Sequence, residues 1–332
     1  MTAQLINVVR NDVVESSSQG SAVVVGPDGS VLCTLGTPED VIYPRSSLKP
    51  LQAIASLRVG APLRDEQLAL ACGSHRGTEA HQQVAARILD DAGLSEDDLQ
   101  CPEAYPADSG EVARLAAVSA PVRLTKTPSA FNCSGKHSGF LSAARAAGHP
   151  TETYLDPEHP VQREVFSVIE QYCDETITHH GVDGCGAPAP ILSLTGLARG
   201  IGQVASAPHR RTAELPAAQV ATAMLEHPWA VHGPTSSDTV ILRELGVLSK
   251  LGAEGVRVLA APDGTTVAVK AQDGSHRAGG LVGLVLLSQF APEAVPLDAI
   301  TPVLETVVPQ VLGGGKPVGR IQLGHDVLEV LD

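Results

Sequence analysis

Apolar and polar positions alternate with period two near both ends of the chain and with helical spacing in between. "SAVVVGPDGSVLCTLG" (21–36) holds two apolar runs around Pro27-Asp28-Gly29, and "GVRVLAAPDGTTVAVKAQDG" (255–274) repeats the design around Pro262-Asp263-Gly264. Alternation broken by a Pro-Asp-Gly turn predicts a β-hairpin. The two hairpins, alike in kind, are expected in one antiparallel sheet. Between them, "TEAHQQVAARILDDAG", "VQREVFSVIEQYC" and "AAQVATAMLEHP" carry apolar residues at helical spacing. "GGLVGLVLLSQF" reads as a buried helix on the late strands, and "GRIQLGHDVLEVLD" as a last strand. The layout is β, a long helical stretch, then β again. It predicts an α/β fold in which a mainly antiparallel sheet (1–45 and 230–332) is interrupted by a mainly helical part (46–229), together forming one unit.

Composition agrees with a packed chain of this kind. Of 332 residues 43% are hydrophobic but only 3% aromatic, with 32 Gly and 24 Pro. The core must therefore be built from Ala, Val and Leu in close layers with many turns. A net charge of −14 without a basic cluster argues against nucleic acid and anionic membrane as partners. "LVGLVLLSQF" is too short to span a bilayer. The start lacks a basic stretch followed by a long apolar run, so a cytoplasmic location is expected. Six scattered cysteines then read as small buried hydrophobes, not as a disulfide framework.

Candidate chemistry begins at "VIYPRSSLKPLQAIAS" (41–56). Pro50 is tolerated only in a first helical turn, so a helix starts near Ser46, and Lys49 lies one turn on from the serine, on the same face. Lysine can activate a serine hydroxyl when burial or a second cation lowers its pKa. A surface lysine beside a capping serine has the same spacing. "LACGSHRGTEAH" offers Ser74, with helix capping by Ser74 or Thr78 as the alternative. "NCSGKHSGF" packs Cys133, Lys136 and His137 beside glycines. It lacks the spacing of a phosphate loop, and its glycines suit close approach to a small ligand. "VDGCGAPAPILSL" adds Asp183 and Cys185. These thiols suit zinc, although two cysteines 52 positions apart read equally as core. In "VAVKAQDG", alternation puts Ala268 and Lys270 on one strand face, directed to a cleft or to water.

Taken in order, "YPRSSLKPLQAIA", "LACGSHRGTEAH", "NCSGKHSGF" and "VDGCGAPAPILSL" resemble the L-asparaginase II family of Rhizobium-type enzymes, over about residues 10 to 330. The resemblance implies the fold of serine β-lactamases, penicillin-binding proteins and glutaminases. It implies hydrolysis of L-asparagine to L-aspartate and ammonia by serine–lysine chemistry. Motif by motif, Ser46 and Lys49 match a first pair, and Ser74 and Lys270 a second. Cys133, Lys136 and Cys185 match zinc-binding positions. Asp183 matches an acid of the substrate site, with Arg45 and His137 as further site members. A homodimer is implied, and no organic cofactor. The sequence does not decide which serine attacks. The helix start favours Ser46, with its own N–H and one from a late strand stabilising the oxyanion. A glutaminase or other serine–lysine amidase, and a silent zinc- or amino-acid-binding protein, are the competing readings.

Overall fold

The computed structural model describes residues 2–118 and 125–332. Eight strands form one sheet: β1 (Ala3–Arg10), β2 (Val13–Val25) and β3 (Val31–Leu35) from the start of the chain, and five from its last third. Four two- or three-residue segments intervene, β4 (Val41–Ile42) pairing with β7 (Leu192–Ser193) and β5 (His180–Val182) with β6 (Pro188–Pro190). The late strands are β8 (Leu248–Leu251), β9 (Val256–Ala260), β10 (Thr266–Ala271), β11 (Val311–Gly313) and β12 (Lys316–Leu323). The sheet order is β11-β12-β1-β2-β10-β9-β8, with β3 on β2, and every pairing is antiparallel.

Both Pro-Asp-Gly hairpins form, and the sheet joins them: Val267 faces Val24 and Val269 faces Ala22 across β10 and β2. The turns close alike, Asp28 accepting from Ser30 N–H and Asp263 from Thr265 N–H, with Gly29 and Gly264 at positive φ. This is side-chain turn chemistry with glycine supplying the left-handed residue. "GRIQLGHDVLEVLD" is only half a strand: after β12 the chain turns at Gly324 into a closing helix, His325–Leu331.

The helices between the sheet halves are α1 (Lys49–Val59), α2 (Asp65–Ala71), α3 (Glu79–Asp91), α4 (Ser109–Val118), α5 (Ser134–Ala146), α6 (Pro160–Cys173), α7 (Leu194–Ser206), α8 (Leu215–Glu226), α9 (Pro228–Val231) and α10 (Ser237–Leu245). A 3-10 turn, Arg45–Leu48, precedes α1, and Pro50 sits in its first turn. Leu48, Leu51, Ile54 and Ala55 are all buried. α3 begins at Thr78, which forms a reciprocal cap with His81. Thr78, not Ser74, therefore caps this helix.

Strand alternation divides the interior into two cores. Val23, Val25, Val256, Val258 and Ala268 face the inserted helices. Val24, Leu259, Val267 and Val269 face α11 (Arg277–Phe290), whose Leu284, Leu286 and Leu287 are fully enclosed. Gly283 lets α11 close on Leu259, where an added Cβ would meet its Cδ1 at 2.6 Å. β8, the sheet's edge strand, packs against α10, α8 and the 3-10 turn before α1. Among the described residues no helix is long and apolar enough to cross a membrane.

Candidate active site

Ser74 follows α2 in a loop fixed from both sides. Its N–H donates to Val231 O at 2.7 Å, and Gly73 before it packs so closely that a Cβ would lie 2.8 Å from the Ala230 and Val231 carbonyl oxygens. The next residue, His75, donates from its backbone to Asn132 O, accepts Gly77 N–H at Nδ1, and reaches Ser134 Oγ from Nε2 at 2.9 Å. Nδ1 is thus the acceptor, and the ring ties the loop to the start of α5. Burial, His81 and Lys49 hold this imidazole well below its ordinary pKa.

Two buried amines meet the Ser74 hydroxyl. Lys49 Nζ lies 3.1 Å from Oγ and donates also to Gly73 O and, at 3.4 Å, Asn132 O. Lys250 Nζ lies 3.2 Å from the same oxygen and 2.7 Å from Leu251 O. Burial pushes the Lys250 amine down to about 8, with Asp238 opposing and Lys49 adding to the fall. Two ammonium groups on one hydroxyl repel, so a proton on one favours its loss from the other.

The lysine beside Ser74 is therefore Lys250, and the assignment of Lys270 to that pair is corrected. Lys270 Nζ donates to Glu254 O and Ala271 O, each at 2.7 Å, in a half-exposed position. It shares a face of β10 with Ala268, but β9 separates β10 from β8, the edge strand whose Lys250 reaches Ser74. Ser46 also differs from expectation. Its carbonyl accepts Lys49 N–H, but its half-buried hydroxyl has no protein partner among the described residues; the Lys49 amine goes to Ser74 instead. Ser46 lies in the first turn of the helical segment, where the Ser47 N–H donates to Pro44 O at 3.2 Å and the Ser46 N–H bonds no protein group among the described residues.

Arg45 immediately precedes it at φ 55°, a left-handed conformation uncommon for a residue with a side chain. Its guanidinium binds Asp183 Oδ1 through Nε at 2.9 Å and Nη2 at 2.6 Å. Burial raises the Asp183 pKa, but Lys136 and Arg45 outweigh it, and the carboxyl is held below its usual range.

Cys133, Lys136 and Cys185 come together. Cys133 stands just before α5, Lys136 in its first turn, and Cys185 in the loop between β5 and β6. Lys136 Nζ is 3.1 Å from Cys185 Sγ. Cys133 Sγ donates to Asn132 Oδ1 at 3.2 Å, and Cys185, with Lys49 and Lys136, pulls the Cys133 thiol well below the ordinary pKa against its burial. The sulfurs hold the Lys136 amine protonated against its burial. Among the described residues no three His, Cys, Asp or Glu side chains group for a metal, so a third donor here must be the amine. Two buried cysteine sulfurs and a buried amine fit zinc's preference for sulfur and nitrogen. His137, expected as a further site member, is buried in the core: it bonds Tyr154 OH through Nδ1 at 2.7 Å, and its Nε2 has no partner among the described residues.

Sequence reading missed Lys250 and its companions Asp238, Arg257 and His232. The available signal was a lysine inside the apolar run "GVLSKLG". A cavity of about 580 Å³ beside α3 and α4 is lined by Glu79, Glu111, Arg114 and Thr127, among others, and contains none of the serine–lysine groups.

A family described as Asparaginase_II, L-asparaginase II, matches residues 6–323. Among curated proteins nothing matches. Solved structures similar to the chain include Mglu in its glutamate form, with 12% identity over 84% of this chain and 61% of that one, TM-score 0.46. A β-lactamase from Mycobacterium bovis matches at 14% identity over 83% and 95%, TM-score 0.43, and a Bacillus glutaminase at 13% over 84% and 93%, TM-score 0.43. The chain thus spans about three fifths of the Mglu chain. Likenesses this distant assign no residue a role.

Proposed function

Because the chain belongs to the L-asparaginase II family, we propose that it hydrolyses the side-chain amide of L-asparagine to L-aspartate and ammonia through a seryl ester. The observation that carries this reading is the Ser74 hydroxyl held between the amines of Lys49 and Lys250. Such a bridge passes a proton from one amine to the other and keeps one of them neutral as a base.

In this reading Ser46 is the nucleophile. Its hydroxyl is unengaged, and its own N–H, which bonds no protein group among the described residues, suits an oxyanion. As Ser46 Oγ bonds to the amide carbon, its proton passes to Lys49 while Lys49 passes one of its own through Ser74 Oγ to Lys250. The tetrahedral intermediate collapses by breaking the C–N bond, and the departing nitrogen takes a proton relayed from the lysines through Ser74. Water then attacks the aspartyl ester, giving its proton back along the same route and releasing Ser46. Arg45 and Asp183 suit the α-carboxylate and α-ammonium of an amino acid, as opposite charges side by side. Cys133, Cys185 and Lys136, the last as free amine, would hold zinc, which when bound supplies a fixed positive charge beside Asp183 and fastens α5 to the 183–186 loop.

A second reading, with Ser74 as nucleophile, is favoured by its direct contact with both amines. Against it, the Ser74 N–H is already given to Val231 O and is unavailable to an oxyanion. Ammonia release from Asn, Gln and a chromogenic β-lactam, measured for the wild type, Ser46→Ala and Ser74→Ala, tests the proposal. We expect Asn to be the best substrate, Ser46→Ala to be inactive without a trapped ester, and Ser74→Ala to be slow but acylated. A trapped ester on Ser74 would exchange the roles. Preference for Gln would make the protein a glutaminase, and substrate binding without turnover would leave a binding protein. The same reading includes a cytoplasmic homodimer, tested by cell fractionation and light scattering.

A further inference from the structure

Behind Lys250 lies a buried charge cluster that the steps above do not use. Asp238, in the first turn of α10, is fully enclosed. Its Oδ1 accepts from Ser249 Oγ at 2.7 Å and its Oδ2 from Leu251 N–H at 3.0 Å. Those are the residues on either side of Lys250. β8 is an edge strand, so the outward N–H of Leu251 has no strand to pair with; the carboxylate takes its place. Three cations or potential cations surround Asp238: Arg257 Nη2 at 3.4 Å, His232 Nδ1 at 3.6 Å and Lys250 Nζ at 3.9 Å. Arg257, on β9, is nearer than Lys250 and is itself anchored by Ser237 Oγ at 2.6 Å.

We propose that Asp238 and Arg257 are positioning residues for Lys250: the carboxylate clamps the strand on both sides of the lysine, while the guanidinium takes up most of the carboxylate's charge and leaves the amine to Ser74. The proposal rests on the reading of Lys250 and Ser74 as a proton-transfer pair. An enclosed aspartate alone would turn a neighbouring lysine into a fixed ion pair, useless as a base. An enclosed lysine alone would have no reason to stand at one hydroxyl. The second cation reconciles placement with chemistry. Opposite charges favour the ammonium and like charges disfavour it, so the two partners pull Lys250 in opposite directions. The other groups facing its amine are Lys49 from α1, Cys72 at the end of α2, Cys133 before α5, His232 after α9 and His276 before α11.

The opposed pulls give a test that a purely structural role would not pass. The pH dependence of kcat/KM for ammonia release is measured for the wild type, Asp238→Asn and Arg257→Met, with Arg257→Lys as the conservative rescue. In parallel, the Lys250 amine is titrated directly by NMR of 13Cε-labelled lysine, its resonance assigned by its loss in Lys250→Met. Expected is a shift of the Lys250 titration to lower pH in Asp238→Asn and to higher pH in Arg257→Met, each by about half a unit or more, with Arg257→Lys returning it toward wild type. Shifts of the same sign in both variants, or none, overturn the proposal. Should Asp238→Asn fail to fold, the two Arg257 variants decide alone: an upward shift that Arg257→Lys reverses supports it, and no shift overturns it. Wild type that releases no ammonia would sink the asparaginase reading while the NMR titration still decides the positioning.

Discussion

Lys250 and Lys136 are both buried, yet they stand in opposite surroundings. Lys250 faces another lysine and an aspartate whose charge is shared with an arginine, and burial prevails: its amine falls to about 8. Lys136 faces two sulfurs and Asp183, and these prevail over burial to hold its proton. The difference teaches that enclosure alone does not make an amine a base. What decides is whether the negative charge within reach is free or already taken. The same chain therefore carries one lysine suited to proton transfer at Ser74 and another kept charged by its neighbours.

Removing each amine separates the two roles most sharply. Lys250→Met is expected to lower kcat for ammonia release by about 1000-fold, the scale of a lost general acid or base, while zinc content by mass spectrometry stays at the wild-type level. Lys136→Met is expected to do the reverse to the metal. Equal zinc loss in both variants, or full turnover in Lys250→Met, would erase the distinction. The thiols sharpen the Lys136 side. Cys133→Ala and Cys185→Ala should each reduce bound zinc at least about tenfold, since outer-sphere partners alone are worth that much. Undiminished zinc in both would remove the proposed site.

Histidines extend the contrast to stability. His232, beside Asp238, is lowered from 6.5 to about 4 because burial outweighs the aspartate's attraction. Above pH 6.5 it is neutral both folded and unfolded, and no penalty arises. As pH falls through 6.5 the unfolded chain takes up the proton and the folded chain does not until about 4. Stability is therefore lost across that window, by about 3 kcal/mol in all. His75 is lowered in the same direction and adds to the slope. Urea unfolding at a series of pH values should show stability rising from pH 4 to 6.5. His232→Gln should flatten the rise, and an unchanged slope in that variant would exclude His232 as its source.

Much of this arrangement was readable from short-range patterns. Pro-Asp-Gly at 27–29 and 262–264 gave the hairpins, because a turn needs only local chemistry. Pro50 marked the start of α1, and Thr78 with Gly93 bracketed α3. The grouping of Cys133, Lys136 and Cys185 followed from the family resemblance, since nothing local brings residue 185 to residue 133. Lys250 and Asp238 escaped because their meaning is topological. Period-two alternation says which face of a strand a lysine occupies but not which strand lies at the sheet edge beside Ser74. With an order of β2-β10-β9-β8, Lys270 and Lys250 are two strands apart, about 10 Å at the usual strand spacing.

That displacement gives the smallest expected effect and a control for the comparison. Lys270 donates to two backbone carbonyls in a half-exposed position, and burial lowers its amine only against the pull of Glu254 and Asp273. Its ammonium is hydrated in the unfolded chain and partly so in the folded one, so little is gained by its bonds. Lys270→Ala should change stability by no more than about 0.5 kcal/mol and ammonia release by no more than about twofold, equivalent to roughly 0.4 kcal/mol of barrier. Burial comparable to that of Lys250 would have made the same substitution far more costly. If Lys270→Ala instead abolished turnover while Lys250→Met retained it, the proton-transfer lysine would be the one on β10, and the Ser74 bridge would be a structural tie.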